Sequence, residues 1–339
     1  MTSRRWATGG VLVLGLMLSA FSSAQEKLFT TEEQRADFAF MMQTFEEVHP
    51  NLYAFQNPQD AKALRIALER QLARPHTAKE FYSLLQPFVE AFNDGHTGIS
   101  APGVRYASYL SNQETDPNSY RYSAPKPDVG LIDFRAFANL ERFRAFLQDT
   151  FAQVRANRIS TLIVDLRANS GGNSALGDAL LEYLTNQPFR QFSRTEIKVS
   201  TQLADWLGKR GVPVPWPQET PTGSIYKLDE PWILPRENPL RFSGRVYVPT
   251  SYDTFSSASQ FAVTIKDFKL GVVVGEETSG QPTTYGELVP FLLPNSGLEA
   301  FVSSKFFVRP NGLNDGRGVI PDVNVPSPRA LDWVLEQVK

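Results

Sequence analysis

An α/β core behind a small helical unit is the fold class that this 339-residue sequence predicts, and three observations predict it. Val129-Gly-Leu-Ile-Asp-Phe134 reads as a strand, Asn139 to Ala156 as an amphipathic helix and Thr161-Leu-Ile-Val-Asp-Leu166 as a buried parallel strand, which together make one crossover unit. A second apolar run, Gly244-Arg-Val-Tyr-Val248, leads through a serine-rich turn into a stretch where Phe261, Ile265 and Phe268 recur at helical spacing. Ahead of both, the capping boxes Thr30-Thr-Glu-Glu33 and Thr77-Ala-Lys-Glu80 announce helices.

The first 24 residues carry the pattern of a secretory signal peptide. Arg4 and Arg5 give a positive start, Val11 to Leu18 an apolar stretch too short for a comfortable span, and Ser22-Ser-Ala24 a cleavage site, so the mature chain is expected to begin near Gln25. Residues 25–100 then read as the helical unit. Phe38, Met41, Met42, Phe45 and Val48 follow the first capping box at helical spacing, and a second helix is expected from Asp60 to Leu72. The third presents Phe81, Leu84, Leu85, Phe88 and Phe92 on one face. A unit of about seventy residues is near the lower limit for an independent core, so it is expected to dock on the remainder, 101–339.

Within that remainder, Ala101 to Pro127 reads as loops with short strands, and Ala175 to Leu184 as a helix. Val212 to Pro239 reads as an extended arm or lid, because repeated prolines disfavour helix and ladder alike. Gly271 to Gly275 and Glu299 to Val308 read as strands, Glu276 to Thr284 as a loop, and Arg329 to Val338 as a final helix.

Composition narrows the function. A formal charge of -2 gives no electrostatic case for nucleic acid or an anionic membrane. The absence of cysteine removes disulfides, thiolate metal sites, a cysteine nucleophile and a lipobox. Only His49, His76 and His96 are present, with no HExxH spacing, which speaks against a catalytic zinc. No cofactor is implied.

Three loops carry chemistry-bearing residues. Tyr252-Asp-Thr-Phe-Ser-Ser-Ala-Ser-Gln-Phe-Ala262 puts Ser256 and Ser257 at a strand-to-helix turn, where unpaired N–H groups favour developing negative charge; a helix cap is the plainer reading of such a pair. Arg167-Ala-Asn-Ser-Gly-Gly-Asn173 has two glycines between a strand and a helix, as suits an oxyanion hole, and it lacks both phosphate-loop fingerprints. Asn93-Asp-Gly-His-Thr-Gly98 offers His96, the best placed of the three histidines to act as a base.

In this order, Asp-Gly-His96-Thr, Asp165-Leu-Arg-Ala-Asn-Ser-Gly-Gly172, Ser257-Ala-Ser and Gly318-Val-Ile-Pro-Asp322 resemble the tail-specific, or C-terminal processing, peptidase family across the whole mature chain. The resemblance implies a crotonase-like α/β core and serine peptidase chemistry. Carried over residue by residue, it makes Ser257 the nucleophile and assigns the oxyanion hole to the N–H of Ala258 with that of Gly171 or Gly172. Members with a PDZ domain use a lysine as base, and Gln281 stands in its place here; residues 101–127 are also too few to hold such a module. The sequence is more similar to the tricorn-core branch, which implies His96 as base and Asp315, where the branch usually has glutamate, as the acid that orients it. Gln260 likewise stands where the family often has glutamate.

The expectation is therefore an exported serine peptidase, periplasmic or secreted, that hydrolyses peptides or unstructured protein tails through Ser257, His96 and Asp315. Its rival is a non-catalytic protein that binds an apolar small ligand on the same fold, as the family's retinoid-binding modules do.

Overall fold

The computed structural model describes residues 26–338, and the signal peptide expected at 1–24 lies outside them. Along the chain come β1 (Leu28–Phe29), α1 (Thr31–Val48), α2 (Pro58–Gln71), β2 (His76–Thr77), α3 (Ala78–Glu90) and β3 (Gly98–Ile99). Both expected capping boxes form, with Thr30 and Glu33 exchanging hydrogen bonds at the start of α1, and Thr77 and Glu80 doing so at α3. Next are α4 (Tyr106–Thr115), β4 (Tyr120–Lys126), β5 (Val129–Phe134), α5 (Leu140–Ala156), β6 (Thr161–Asp165) and α6 (Ala175–Leu184). Then follow β7 (Arg194–Lys198), α7 (Thr201–Gly208), β8 (Ile225–Asp229), β9 (Arg245–Thr250) and α8 (Ser257–Asp267). The chain closes with β10 (Val272–Gly275), β11 (Thr284–Leu292), β12 (Glu299–Val308), β13 (Val323–Asn324) and α9 (Ser327–Gln337).

Six strands form the core sheet in the order β13-β10-β9-β6-β5-β4, parallel except where β4 meets β5. Alternation along each strand decides which helices cover it. Leu162 and Val164 of β6, with Val246 and Val248 of β9, pack with Phe143, Leu147 and Phe151 of α5, Leu180 of α6 and Phe261 of α8. Ile163 and Val274 point the other way, onto Ala330 and Val334 of α9. Helices on both faces explain why β6 is an unbroken apolar run.

A second, antiparallel sheet runs β11-β12-β7-β8, with β3 paired to β12. The N-terminal helices bury Phe45, Met41 and Phe81 in one cluster with Ile197, Val289 and Val302 of this sheet.

Two stretches differ from their sequence reading, and a third carried none. Residues 106–115 form α4, which buries no residue and so leaves no apolar stripe to read. The proline-rich arm contains β8, which survives as an edge strand because Pro221 and Pro231 flank it rather than interrupt it. The third runs on from Thr284, the last residue of the expected loop, as the nine-residue strand β11.

One ion pair clamps the two sheets together. Arg309, just past β12, donates from Nη2 to Asp267 Oδ1 at 2.6 Å and from Nε to Oδ2 at 3.2 Å, with both side chains nearly solvent-free at the end of α8. Removing one partner strands the other charge, so Asp267→Ala is expected to cost about 3–5 kcal/mol of stability in urea unfolding, far more than an exposed ion pair would.

Candidate active site

Parallel pairing of β6 with β9 sends the chain out of both strands at the same edge of the core sheet. The glycine loop follows β6 and the serine turn follows β9, so the two arrive side by side at the carboxyl ends of the strands, the usual place for a site in a parallel sheet. The histidine loop comes from elsewhere. It joins α3 to β3 and is held by β12, through Gly98 opposite Phe301 and Ile99 opposite Ala300.

His96 Nε2 lies 2.9 Å from the hydroxyl of Ser256. This is the contact expected of Ser257, and the structure gives it to the preceding residue. Ser256 sits at φ 51° and ψ -126°, a backbone state costly for a non-glycine residue, which turns its side chain away from α8 and toward the imidazole. Neither hydroxyl caps the helix. Ser257 instead donates to the carbonyl of Gly172 at 2.6 Å, tying α8 to the glycine loop.

Two of the three expected oxyanion donors are already engaged. Asn169 Oδ1 accepts from the Gly171 N–H at 2.8 Å, and the Phe255 carbonyl accepts from Ala258 at 3.1 Å. Among the described residues the N–H groups of Gly172 and Ser257 have no acceptor. They belong to loops in close contact: a Cβ at Gly171, φ 98°, would stand 2.7 Å from Ser256 Cβ and 2.9 Å from Ser257 N. Gly172, φ 133°, is pressed against the Phe137 carbonyl in the same way. Glycine at both positions is what lets the loops meet.

Asp315 is not brought to the imidazole. It lies in an exposed turn where its Oδ1 accepts from the Arg317 N–H at 3.3 Å, while Arg317 pairs with Glu277. The side chain of an exposed turn aspartate is short, and this one is used locally. Gln281 Nε2 donates to the Gly316 carbonyl at 3.1 Å. Gln260 is buried and donates to the Gln191 carbonyl, and Gln191 Nε2 in turn donates to the Ser174 carbonyl behind the glycine loop.

His96 is buried, and its ring stacks on Phe255 with centroids 4.8 Å apart. Burial pushes its pKa below the usual histidine value, while the Asp94 charge and the Tyr285 backbone carbonyl pull upward and lose. Nδ1 is buried with no hydrogen-bond partner of good geometry among the described residues, so the Tyr285 carbonyl acts on the ring only loosely. The ring is therefore neutral at pH 7 and free to accept a proton at Nε2.

Asp94 is the site residue that the sequence reading missed. Its Oδ1 accepts from the His96 N–H at 3.0 Å; its Oδ2 accepts from Thr97 Oγ1 and Ser303 Oγ, both at 2.6 Å, and from His49 Nε2 at 3.1 Å. His49 Nδ1 accepts from the Asn51 N–H, which leaves Nε2 as the ring nitrogen that donates to Asp94. The legible signal was an aspartate two residues before a histidine in a turn, the spacing of an Asx turn.

The family model described as peptidase family S41 matches residues 128–325. A candidate peptidase from Parabacteroides merdae is 16% identical over 90% of this chain and 96% of its own, with a TM-score of 0.62. Mature CPAF is 12% identical over 91% of this chain and 96% of its own, TM-score 0.60. A lipoprotein from Streptococcus agalactiae is 16% identical over 90% and 97%, TM-score 0.55. At such identities the solved structures share the fold.

Burial opposes ionisation of Asp94, but the hydrogen bond and charge interaction with His49, with the hydrogen bonds from Ser303 and Thr97, outweigh it and hold the pKa down at about 2. A depressed carboxyl stabilises the fold above its unfolded value near 4, and this contribution fades as the pH drops through 2. Asp94→Asn is expected to lose on the order of 2 kcal/mol at pH 7 and to flatten the stability change between pH 4 and pH 2, as read by urea unfolding across pH.

Proposed function

Since the chain belongs to peptidase family S41 and is a serine-type peptidase, we propose that Ser256 is its nucleophile, with His96 as the base that activates it. The observation that carries this reading is the 2.9 Å contact between His96 Nε2 and the Ser256 hydroxyl at the N-terminus of α8. A serine hydroxyl is a poor nucleophile until a base takes its proton, and the neutral, buried imidazole is suited to take it. As Ser256 Oγ attacks a peptide carbonyl, the oxygen gains negative charge; the free N–H groups of Gly172 and Ser257, aided by the positive end of α8, supply its stabilisation. The imidazolium then protonates the leaving amine, and water repeats the sequence to release the acyl group. Asp94 positions the base by fixing the His96 backbone, and its charge favours the imidazolium that forms.

The substrates on this reading are peptides or unstructured protein tails, since hydrolysis needs an extended backbone laid across the three loops. Export rests on the signal-peptide pattern of residues 1–24, which N-terminal sequencing of the mature protein tests.

Labelling by a fluorophosphonate, mapped by mass spectrometry, is expected on Ser256. Ser256→Ala and His96→Ala should each lower peptide turnover by about 10⁴-fold or more. Ser257→Ala should keep its label and lose only about 1 kcal/mol of stability, and Asp315→Ala should turn over near the wild-type rate. An adduct on Ser257 would overturn the assignment. The acid limb of kcat/KM should report the base with a midpoint below 6.5, activity falling as His96 takes up a proton.

A further inference from the structure

Beside the Ser256–His96 pair lies an open cleft of about 480 Å³, in the size range of small-ligand sites. Gly95 and Phe255, the residues immediately before His96 and Ser256, form one of its walls, which places the cleft one residue away from each member of the pair. Tyr285, whose carbonyl acts on the imidazole, forms another. Phe55, Tyr252 and Phe301 add further aromatic surface, and Tyr252 stands 72% exposed at the edge.

The charges of this lining all have one sign. Glu90 and Asp94 contribute carboxylates, the other polar groups are amides and hydroxyls, and no lysine or arginine lines the cleft. Asp94 is enclosed by its own donors, which leaves Glu90 as the carboxylate open to a ligand. Glu90 is the last residue of α3, where the helix dipole disfavours a negative side chain. Gln86, one turn earlier, donates to Glu90 Oε1 at 2.7 Å and holds the carboxylate in place, with Oε2 left for a partner. Aromatic faces together with an oriented carboxylate and no competing cation are the chemistry that recognises a cationic side chain.

We propose that this cleft receives an arginine or lysine side chain of the peptide substrate, next to the scissile bond, with Glu90 as the residue that selects it. The inference rests on Ser256 and His96 being the reacting pair and adds the kind of peptide they meet. An acidic side chain would enter a negative field with no counter-charge, and a neutral one would leave Glu90 without a partner.

The test uses the mature protein and a panel of internally quenched peptides that differ at one position at a time, carrying Arg, Lys, Gln, Phe or Glu there, with fluorophosphonate labelling run in parallel. Arg and Lys are expected to give the highest kcat/KM at one position flanking the cleaved bond. Glu90→Gln should lower that preference about threefold to fivefold, in a salt-dependent way, and Glu90→Lys should reverse its sign. Tyr252→Ala should weaken the basic peptides about threefold. Each variant is also labelled, and an adduct on Ser256 shows that its reacting pair is intact. Failure of the wild type to label at Ser256 overturns the underlying serine reading. Normal labelling with no basic preference, with a preference unchanged in Glu90→Lys, or with no peptide of the panel cleaved, overturns the cleft assignment alone.

Discussion

The site depends on one buried carboxylate. Ser256 belongs to the core sheet and His96 to a loop fastened on the second sheet, so their contact exists only if the two sheets keep a fixed register. Asp94 supplies much of that constraint. It accepts from the residue after α1, from its own loop and from Ser303 of β12, joining the helical unit, the base and the second sheet at one group. At a buried hub of this kind a lost acceptor leaves several donors unpaired at once, which is why its effect exceeds that of any single hydrogen bond. The Arg309–Asp267 pair closes the junction from the far end of α8.

This division of labour explains the shape of the chain. The core sheet alone can present a hydroxyl and N–H donors, because loops leaving neighbouring parallel strands necessarily emerge together. It carries no base. The N-terminal helices and the antiparallel sheet share one apolar cluster and act as a single platform whose exposed product is the His96 loop. Residues far from the site, such as Phe45 and Val302 in that cluster, therefore bear on the position of the imidazole.

Much of this was legible in the residues, and the pattern of what was not is physical. Strands β6 and β12 and helices α1, α3 and α5 were readable because apolar periodicity or capping chemistry marks them. Helix α4 was not, since nothing on it is buried, and β8 was not, since its neighbours are prolines. At the site, the three loops singled out are brought together, and the serine in contact with His96 is the residue before the one expected. Ser256 and Ser257 are chemically identical, and only a backbone turn at φ 51° decides which hydroxyl faces His96. The N–H groups differ by one residue too: that of Ala258, expected to be available, is engaged, and among the described residues that of Ser257 has no acceptor. Asp315 was assigned through a motif, whereas Asp94 meets the His96 loop through tertiary contacts with His49 and Ser303 that no local pattern encodes.

The strained turn and the buried histidine are two sides of one arrangement. Holding a serine at positive φ costs on the order of 1–3 kcal/mol, and the hydrogen bonds of the turn to the glycine loop, from Phe255 to the Asn169 carbonyl and from Ser257 to that of Gly172, offset part of it. The strain aims the hydroxyl at an imidazole that burial keeps neutral. If that ring were solvated, its pKa would return toward the ordinary value and a larger fraction would be protonated and useless as a base near neutral pH. If it were buried without Asp94 nearby, the imidazolium formed on proton transfer would have no counter-charge. Desolvation sets the resting state of the base and the enclosed carboxylate eases its charged state, so the same burial serves both only because Asp94 is held close without touching the ring.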